Sequence, residues 1–564
     1  MINPINFGSG IVEAKDTLKW WQKTIVYQIY PKSFADTNGN GMGDLKGITA
    51  HLDYLKSLNV GAIWLTPIYP SPMVDNGYDI SNYTAIDSNF GAMQDFDELI
   101  EQAKAREIRV VMDLVFNHTS DKHSWFLESK KDTTNQKADW YIWRDAKPNG
   151  DPPTNWRSIF GGSAWQWCEE RQQFYLHTFA VEQPDLNWKN PAVRRALYNA
   201  ANFWIDKGVG GFRVDAITYI KKPNKFVDGI PDGQDEMSSI HTATANTKGI
   251  LDYLHEFKRK VFDGHDIFTV GEANGVAANE LKYWVGEDGV FDMLFEFSHT
   301  SIAVENEVWC KPNNWKLTDL KKALNESQKA TKNNGWYPIF FENHDRPRSV
   351  NYYMPNNPDK KSAAKALATI LLTLRGTPFI YEGQEIGMTN VAWDSIDDYD
   401  DIQSKSQYEF ALNEGFSPAQ ALNFVHDNSR DNARTPMQWN EDLNAGFSEG
   451  KAWLPVNENY VEINTDVEDT DIDSVLNYYR KLINLRQENE ILTFGDYEEL
   501  LADSEEIFAF ARFLGHKRIV TLVNFSANTV TLPKDFQRRN ILIGTEKNPR
   551  VAALKPFEGR VIQL

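Results

Sequence analysis

Short apolar, β-branched runs recur along the chain, separated by amphipathic or irregular stretches. Ile25–Tyr30 reads IVYQIY, Ala62–Leu65 reads AIWL and Arg109–Leu114 reads RVVMDL. Between them, Gly47–Leu58 and Phe96–Arg106 read as helices. Strands alternating with helices predict parallel βαβ units. The rhythm breaks over residues 119–185, which are rich in Trp, Asp, Asn, Lys, Gly and Pro without a period. A stretch this long predicts an inserted subdomain with its own structure. Alternation resumes with a helix at Pro191–Lys207. Strands follow at Gly211–Val214, Phe268–Val270, Phe291–Phe295, Pro338–Phe341 and Phe379–Tyr381. Eight strands is the count of a closed (β/α)₈ TIM barrel. Pattern alone leaves an open doubly wound sheet as the alternative, although the first strand runs into an acidic, Gly-rich loop rather than GxGxxG.

After a helix at Asp473–Asn489 the strands become closely spaced: Ile507–Phe513, Arg518–Asn524, Thr529–Leu532, Ile541–Ile543 and Arg560–Leu564. They predict a small antiparallel β-sandwich. The expected organisation is therefore α/β, with a barrel over residues 1–118 and 186–490, the insert over 119–185 and the C-terminal domain over 491–564. The first 15 or so residues read as an arm.

The chain has 564 residues, 41% hydrophobic and 24% charged, enough for a sizeable core. Lys and Arg number 59 against 79 Asp and Glu, a net charge of −20. That balance repels nucleic-acid phosphates and acidic membranes, so neither is an expected partner. A small neutral substrate is not disfavoured. The 18 Trp suit either an aromatic core or sugar stacking, and composition does not choose. Cys168 and Cys310 make no disulfide framework, which fits a reducing compartment. No signal peptide is visible, and no apolar run approaches the roughly 20 residues that span a bilayer. The expected location is the cytoplasm.

In a barrel of this kind the residues just past the strand C-termini form the active site. The third strand ends in DLVFNH (Asp113 to His118) and the fourth in GFRVDA, with Arg213 and Asp215. The fifth gives TVGEANG with Glu272, and the seventh FENHDRPR with His344 and Asp345. Taken singly, each is as well explained as a surface charge or a satisfied core group. Carboxylates, histidines and an arginine together on one barrel face point to a site.

These motifs, in this order, resemble the α-amylase superfamily, glycoside hydrolase family 13, and more closely its oligo-1,6-glucosidase and α-glucosidase branch. KTIVYQIYPKSF, DNGYD, QPDLNW, GTPFIYEGQEIG and RDNARTPMQW support the resemblance from about Trp20 onward. The resemblance implies a retaining double displacement. Asp215 is the nucleophile, Glu272 the acid/base and Asp345 the third carboxylate that stabilises the oxocarbenium-like transition state. Arg213, two residues before Asp215 on the same strand face, is expected to keep it ionised. Glu272 is expected to be protonated near neutral pH under the influence of its carboxylate neighbours. Retaining glycosidases hold the two carboxyls about 5–5.5 Å apart.

The resemblance also implies that His118 and His344 bind glucose hydroxyls and that Tyr78 stacks beneath the sugar. Asp75 with Arg430 would close the pocket behind one glucose, so that terminal units are released. Asn76–Gly77 is also an ordinary turn signal. Phe160 is a candidate pocket wall, and a core aromatic reads nearly as well. Ala216, after the nucleophile, stands where α-1,6 enzymes typically carry Val, which leans the reading towards α-1,4 bonds. Asp36, Asn38, Asn40 and Asp44 alternate with glycines like the start of an EF-hand loop, without its closing Glu. Related glucosidases hold a structural Ca²⁺ there, with the Met42 carbonyl. A metal-free turn is the alternative.

Three other kinds of protein share parts of this pattern. An oligo-1,6-glucosidase shares the motifs. A sucrose isomerase or glucosyltransferase shares the barrel, but SVNYYMPNNPDKK after Arg348 does not match the Arg-rich loop of isomerases. A non-catalytic relative would lack the carboxylates present here.

Overall fold

A computed structural model describes residues 18–564, apart from 306, 333–334, 355–356, 358 and 538. The expected N-terminal arm lies outside the described residues. Eight strands form the centre: β1 (Val26–Ile29), β2 (Ala62–Leu65), β3 (Arg109–Val115), β4 (Gly211–Asp215), β5 (Phe268–Glu272), β6 (Met293–Phe295), β7 (Pro338–Ile339) and β8 (Thr377–Tyr381). They are hydrogen-bonded in the order β6-β5-β4-β3-β2-β1-β8-β7. Every pairing is parallel. β1 thus lies between β2 and β8, with Val26 opposite both Ala62 and Phe379. β6 and β7 meet at the remaining seam. This is a nearly closed TIM barrel, and the open-sheet alternative falls.

Both faces of these strands are buried, which is why they read as continuous apolar runs. Val26, Ala62, Trp64, Val111, Phe268, Val270, Met293 and Phe379 cluster inside the barrel. Tyr27, Ile63, Leu65, Val110, Met112, Phe212 and Val214 belong to the cluster shared with the surrounding helices. The alternation is that of a pleated strand. The helix expected at Gly47–Leu58 is two helices, Leu45–Ala50 and Leu52–Ser57, broken at His51.

Within the insert, Trp143–Arg144, Gln173–Leu176 and Trp165–Cys168 form an antiparallel sheet. Trp156–Arg157 pairs with Ser238–Ser239 from the segment after β4, so that segment is stitched to the insert. The C-terminal sheet comprises β9 (Asp496–Leu500), β10 (Ile507–Leu514), β11 (Lys517–Asn524), β12 (Asn540–Gly544) and β13 (Gly559–Gln563), all antiparallel. A ribbon of Val530–Thr531 and Ala553–Leu554 covers one face, burying Ile507, Val520, Leu522 and Leu554. The strand β9 was not foreseen. Its sequence DYEEL is charged and half-buried throughout, as suits a sheet edge. Cys168 and Cys310 are free and buried. No helix among the described residues is long and apolar enough to cross a membrane.

Candidate active site

Arg213 organises the floor of the site. Its guanidinium is fully buried, and Nη1 lies 2.9 Å from Asp113 Oδ1 and 2.7 Å from Asp215 Oδ1. Nη2 lies 2.8 Å from Glu272 Oε2. The ends of β3, β4 and β5 therefore converge on one cation. Arg213 favours the ionised form of Asp215, as expected, but shares that effect with Asp113 and Glu272. Burial pushes the Asp215 carboxyl well above the usual carboxylate range, Arg213 opposes this, and Glu272, Asp113 and Asp345 add to it. Burial likewise raises Asp113 to about 6 against the pull of Arg213. One guanidinium cannot neutralise so many buried carboxylates, so the cluster binds protons readily.

The turn after β4 completes the acid/base setting. Ala216 adopts φ 42° and ψ 35°, a left-handed conformation uncommon for a residue with a Cβ. In that conformation its N–H donates to Glu272 Oε2 at 2.9 Å. Two donors, Arg213 and Ala216, thus fix one oxygen of Glu272.

Asp345 follows β7. It accepts from Arg434 Nη2 at 2.9 Å and Arg430 Nη1 at 3.3 Å, and its Oδ2 lies 3.0 Å from His344 Nε2. Burial acts against its charge, but His344, Arg430 and Arg434 hold the carboxyl well below the usual range. Asp345 is therefore the site's firmly ionised acid.

His344 lies behind the residues that line the cavity. It is completely buried, with Nδ1 2.8 Å from Gln28 Nε2 and Nε2 2.6 Å from the Tyr78 hydroxyl. Burial pushes it down to about 3, so the ring is neutral at physiological pH. The Gln28 amide donates to Nδ1, which assigns the ring proton to Nε2. With both nitrogens engaged, His344 supports Tyr78 and Asp345 from beneath. Its ring also stacks on Tyr78, with centroids 5.3 Å apart. His118 does reach the pocket wall. Its Nε2 lies 3.1 Å from the Tyr78 carbonyl, and burial lowers it to about 4.

Part of the cavity wall is a buried charge network. Arg430 Nη2 lies 3.1 Å from Asp75 Oδ1 and 2.6 Å from Asp401 Oδ1, and all three residues are buried. Gln183 donates to Asp75 Oδ2 at 3.1 Å. The Arg430 guanidinium sits 5.0 Å from the Phe160 ring centroid, which puts Phe160 on the pocket wall. Asp75, Tyr78, His118, Phe160, Asp215, Ala216, Glu272, Asp345 and Arg430 all line one cavity of about 810 Å³. Arg213 and His344 lie behind it.

Four contributors were not singled out as site residues from sequence. Asp113 and Arg434 lay within recognised motifs, as did Gln183 in QPDLNW. Asp401 stands in the acidic run DDYDD and gives no local signal.

The loop Asp36–Asp44 is a chain of side-chain-to-backbone turns. Asp36 accepts from the N–H groups of Asn38, Gly39 and Gly41, Asn38 from Asn40, and Asn40 from Met42. Asp44 accepts from Thr37 and caps the following helix at Gly47. The donor set is all oxygen, with two carboxylates, and its chemistry suits a hard cation.

The family model for the α-amylase catalytic domain matches residues 28–495. An oligo-1,6-glucosidase of Parageobacillus thermoglucosidasius is 43% identical over 558 residues, covering 97% of this chain and 99% of the relative. A trehalose-6-phosphate hydrolase of Escherichia coli is 43% identical over 549 residues, covering 96% and 98%. The crystal structure of an isomaltulose synthase from Protaminobacter rubrum superposes with a TM-score of 0.93 at 39% identity, covering 97% of this chain and 99% of that one. With the barrel, its carboxylate cluster and these matches in hand, the chain belongs to the α-amylase family and is a glycoside hydrolase.

Proposed function

We propose that the protein is an exo-acting, retaining α-glucosidase that releases terminal non-reducing glucose from short α-gluco-oligosaccharides. The observation that carries this reading is the buried Asp75–Arg430 pair in the wall of the cavity that contains Asp215, Glu272 and Asp345. A pocket closed by a fixed ion pair admits one sugar beyond the scissile bond and excludes a polymer running through. Asp215 and Glu272 bond to the two terminal nitrogens of one guanidinium. That closeness supports the short separation of a retaining pair, about 5–5.5 Å, over the wider inverting one.

In the first half-reaction Asp215 attacks the anomeric carbon while Glu272 protonates the departing oxygen. In the second, Glu272 takes a proton from water, which attacks the same carbon and releases Asp215. Asp345, kept ionised by Arg430, Arg434 and His344, faces the positive charge that develops on the sugar. Initial rates on maltose, isomaltose, maltotriose and sucrose test the reading. Glucose from the α-gluco-oligosaccharides supports it, whereas isomerised sucrose as the main product would replace it with the isomerase reading.

The linkage lean towards α-1,4 rests on Ala216, a methyl at the edge of the cavity. Ala216→Val should lower the maltose-to-isomaltose ratio of kcat/KM by about tenfold, within the roughly 1–3 kcal/mol that a small hydrophobic group discriminates. A β-branched residue at φ 42° is strained, so both rates should fall together by a further factor. The ratio on one variant cancels that shared loss. A ratio that stays level or rises would remove Ala216 from linkage selection.

The Asp36–Asp44 loop is proposed to hold a structural Ca²⁺ through Asp36, Asn38, Asn40, the Met42 carbonyl and Asp44. It would tie the β1 loop to Ser448, whose hydroxyl already donates to Asp36 at 2.6 Å. Adding Ca²⁺ to chelator-treated protein should raise Tm by several degrees, since a ligand at 100 times its Kd adds about 2.7 kcal/mol. Asp36→Asn should abolish the rise, and a Tm indifferent to Ca²⁺ would leave the loop a plain turn.

A further inference from the structure

A second cavity, of about 330 Å³, opens between the insert and the segment after β4. Its lining includes Arg144, Arg171, Lys189 and Lys221, with Trp143 and Tyr253 among the walls. In a chain of net charge −20 this is a local concentration of positive charge. These cations are short of counter-charges. No described carboxylate forms an ion pair with any of the four, whereas Lys222 in the same lining is matched by Asp185 at 2.7 Å.

Arg144 is the most telling. It is half-buried, and its Nη1 donates to the neighbouring Trp143 carbonyl at 2.6 Å. Its guanidinium stacks 4.3 Å from the Phe226 ring centroid. Burial presses its pKa down, and Asp139 and Asp145 only partly offset this through space. Arg171 is similarly held by aromatic and carbonyl contacts, 4.4 Å from the Trp143 centroid and bonded to the Ser129 and Asp132 carbonyls. Lys221 lies 5.3 Å from the Tyr253 centroid. Holding half-buried cations without carboxylate partners costs stability unless another anion meets them. Planar guanidiniums suit the doubly charged oxygens of a phosphate monoester, and ring walls suit the apolar face of a sugar. Asp139 also lines the cavity and disfavours anions, but the cations outnumber it.

We propose that this cavity is a second ligand site, separate from the catalytic pocket, that binds a small sugar phosphate. Arg144 and Lys221 meet the phosphate, while Trp143 and Tyr253 flank the sugar. The site borders the catalytic cavity through Lys222, which donates to Asn117 Oδ1 at 3.0 Å and to the carbonyl of Tyr219, a residue of the catalytic cavity wall.

Calorimetric titration of the full chain with glucose 6-phosphate, inorganic phosphate and glucose tests this. The expected result is saturable binding of glucose 6-phosphate, weakened tenfold or more in Arg144→Gln and in Lys221→Gln, and weakened by salt. Inorganic phosphate should bind more weakly, and glucose should not bind at this site. Lys221→Gln carries the test if the more buried Arg144 variant fails to fold. Oligosaccharide hydrolysis should survive both substitutions, which separates this site from the catalytic one. Binding that both variants leave unchanged, or that a bound oligosaccharide fully displaces, would place the ester in the catalytic pocket and overturn the proposal. No saturable binding in the unsubstituted protein would overturn it as well, and inorganic phosphate binding as tightly as the ester would remove the sugar from it.

Discussion

Replacing Asp215 by Asn should reduce turnover of maltose by roughly 10⁴-fold or more, the scale on which loss of one member of a nucleophilic constellation falls. An amide has no negative oxygen to form the glycosyl bond, yet it keeps the shape of the side chain. The structure adds a second, less obvious expectation. Burial and the surrounding carboxylates of Glu272, Asp113 and Asp345 raise the Asp215 carboxyl far above its unfolded range. A carboxylate so raised is, at neutral pH, a charge the folded state disfavours. Its contribution turns unfavourable as pH rises above the unfolded value and grows until the folded value is reached. A neutral Asn escapes that cost, so Asp215→Asn should keep or raise Tm while losing activity. Thermal melts beside kinetics check both halves. A variant with near wild-type turnover would remove Asp215 from the nucleophile's role, and one with a sharply lowered Tm would contradict the electrostatic account.

Substituting Arg430 by Ala should act in the opposite sense on stability. Arg430 is buried and meets Asp401, Asp75 and Asp345 at 2.6, 3.1 and 3.3 Å. Removing one partner of a buried charge network leaves the others uncompensated, at about 3–5 kcal/mol. Tm should therefore fall. Catalysis should fall too, by roughly 10²-fold or more in kcat/KM, with KM raised because Asp75 loses its anchor and kcat lowered because Asp345 loses a cation. Lys should rescue poorly, since one ammonium cannot span three carboxylates as a guanidinium does. A folded Arg430→Ala protein with unchanged KM for maltose would show that the pair does not close the sugar pocket.

The parts of the fold that sequence made legible are those where local pattern and tertiary role agree. β1 to β5 are apolar on both faces, and the ends of β4 and β5 carry Asp215 and Glu272 at recognisable motifs. β9 escaped because an edge strand with charged residues on each face has no apolar alternation to read. The site was legible as a set of residues and less so as a geometry. That Arg213 is divided among Asp113, Asp215 and Glu272 depends on three strand ends meeting, which no single segment encodes. His344 looked like a sugar ligand because it precedes Asp345, and only packing shows its ring nitrogens against Gln28 on β1 and the Tyr78 hydroxyl. Asp401 is 29 residues from Arg430 in an acidic stretch with several equivalent candidates, so its ion pair could be found only by packing. The left-handed turn at Ala216 is invisible to propensity, since Ala seldom adopts it.

The most direct test is the time course of maltotriose labelled at its reducing end, followed by proton NMR from the first turnover. The account predicts unlabelled glucose appearing first as the α-anomer, with labelled maltose as the co-product. Glucose appearing first as the β-anomer would contradict the retaining pair of Asp215 and Glu272, and labelled glucose released before labelled maltose would contradict a pocket closed by Asp75 and Arg430.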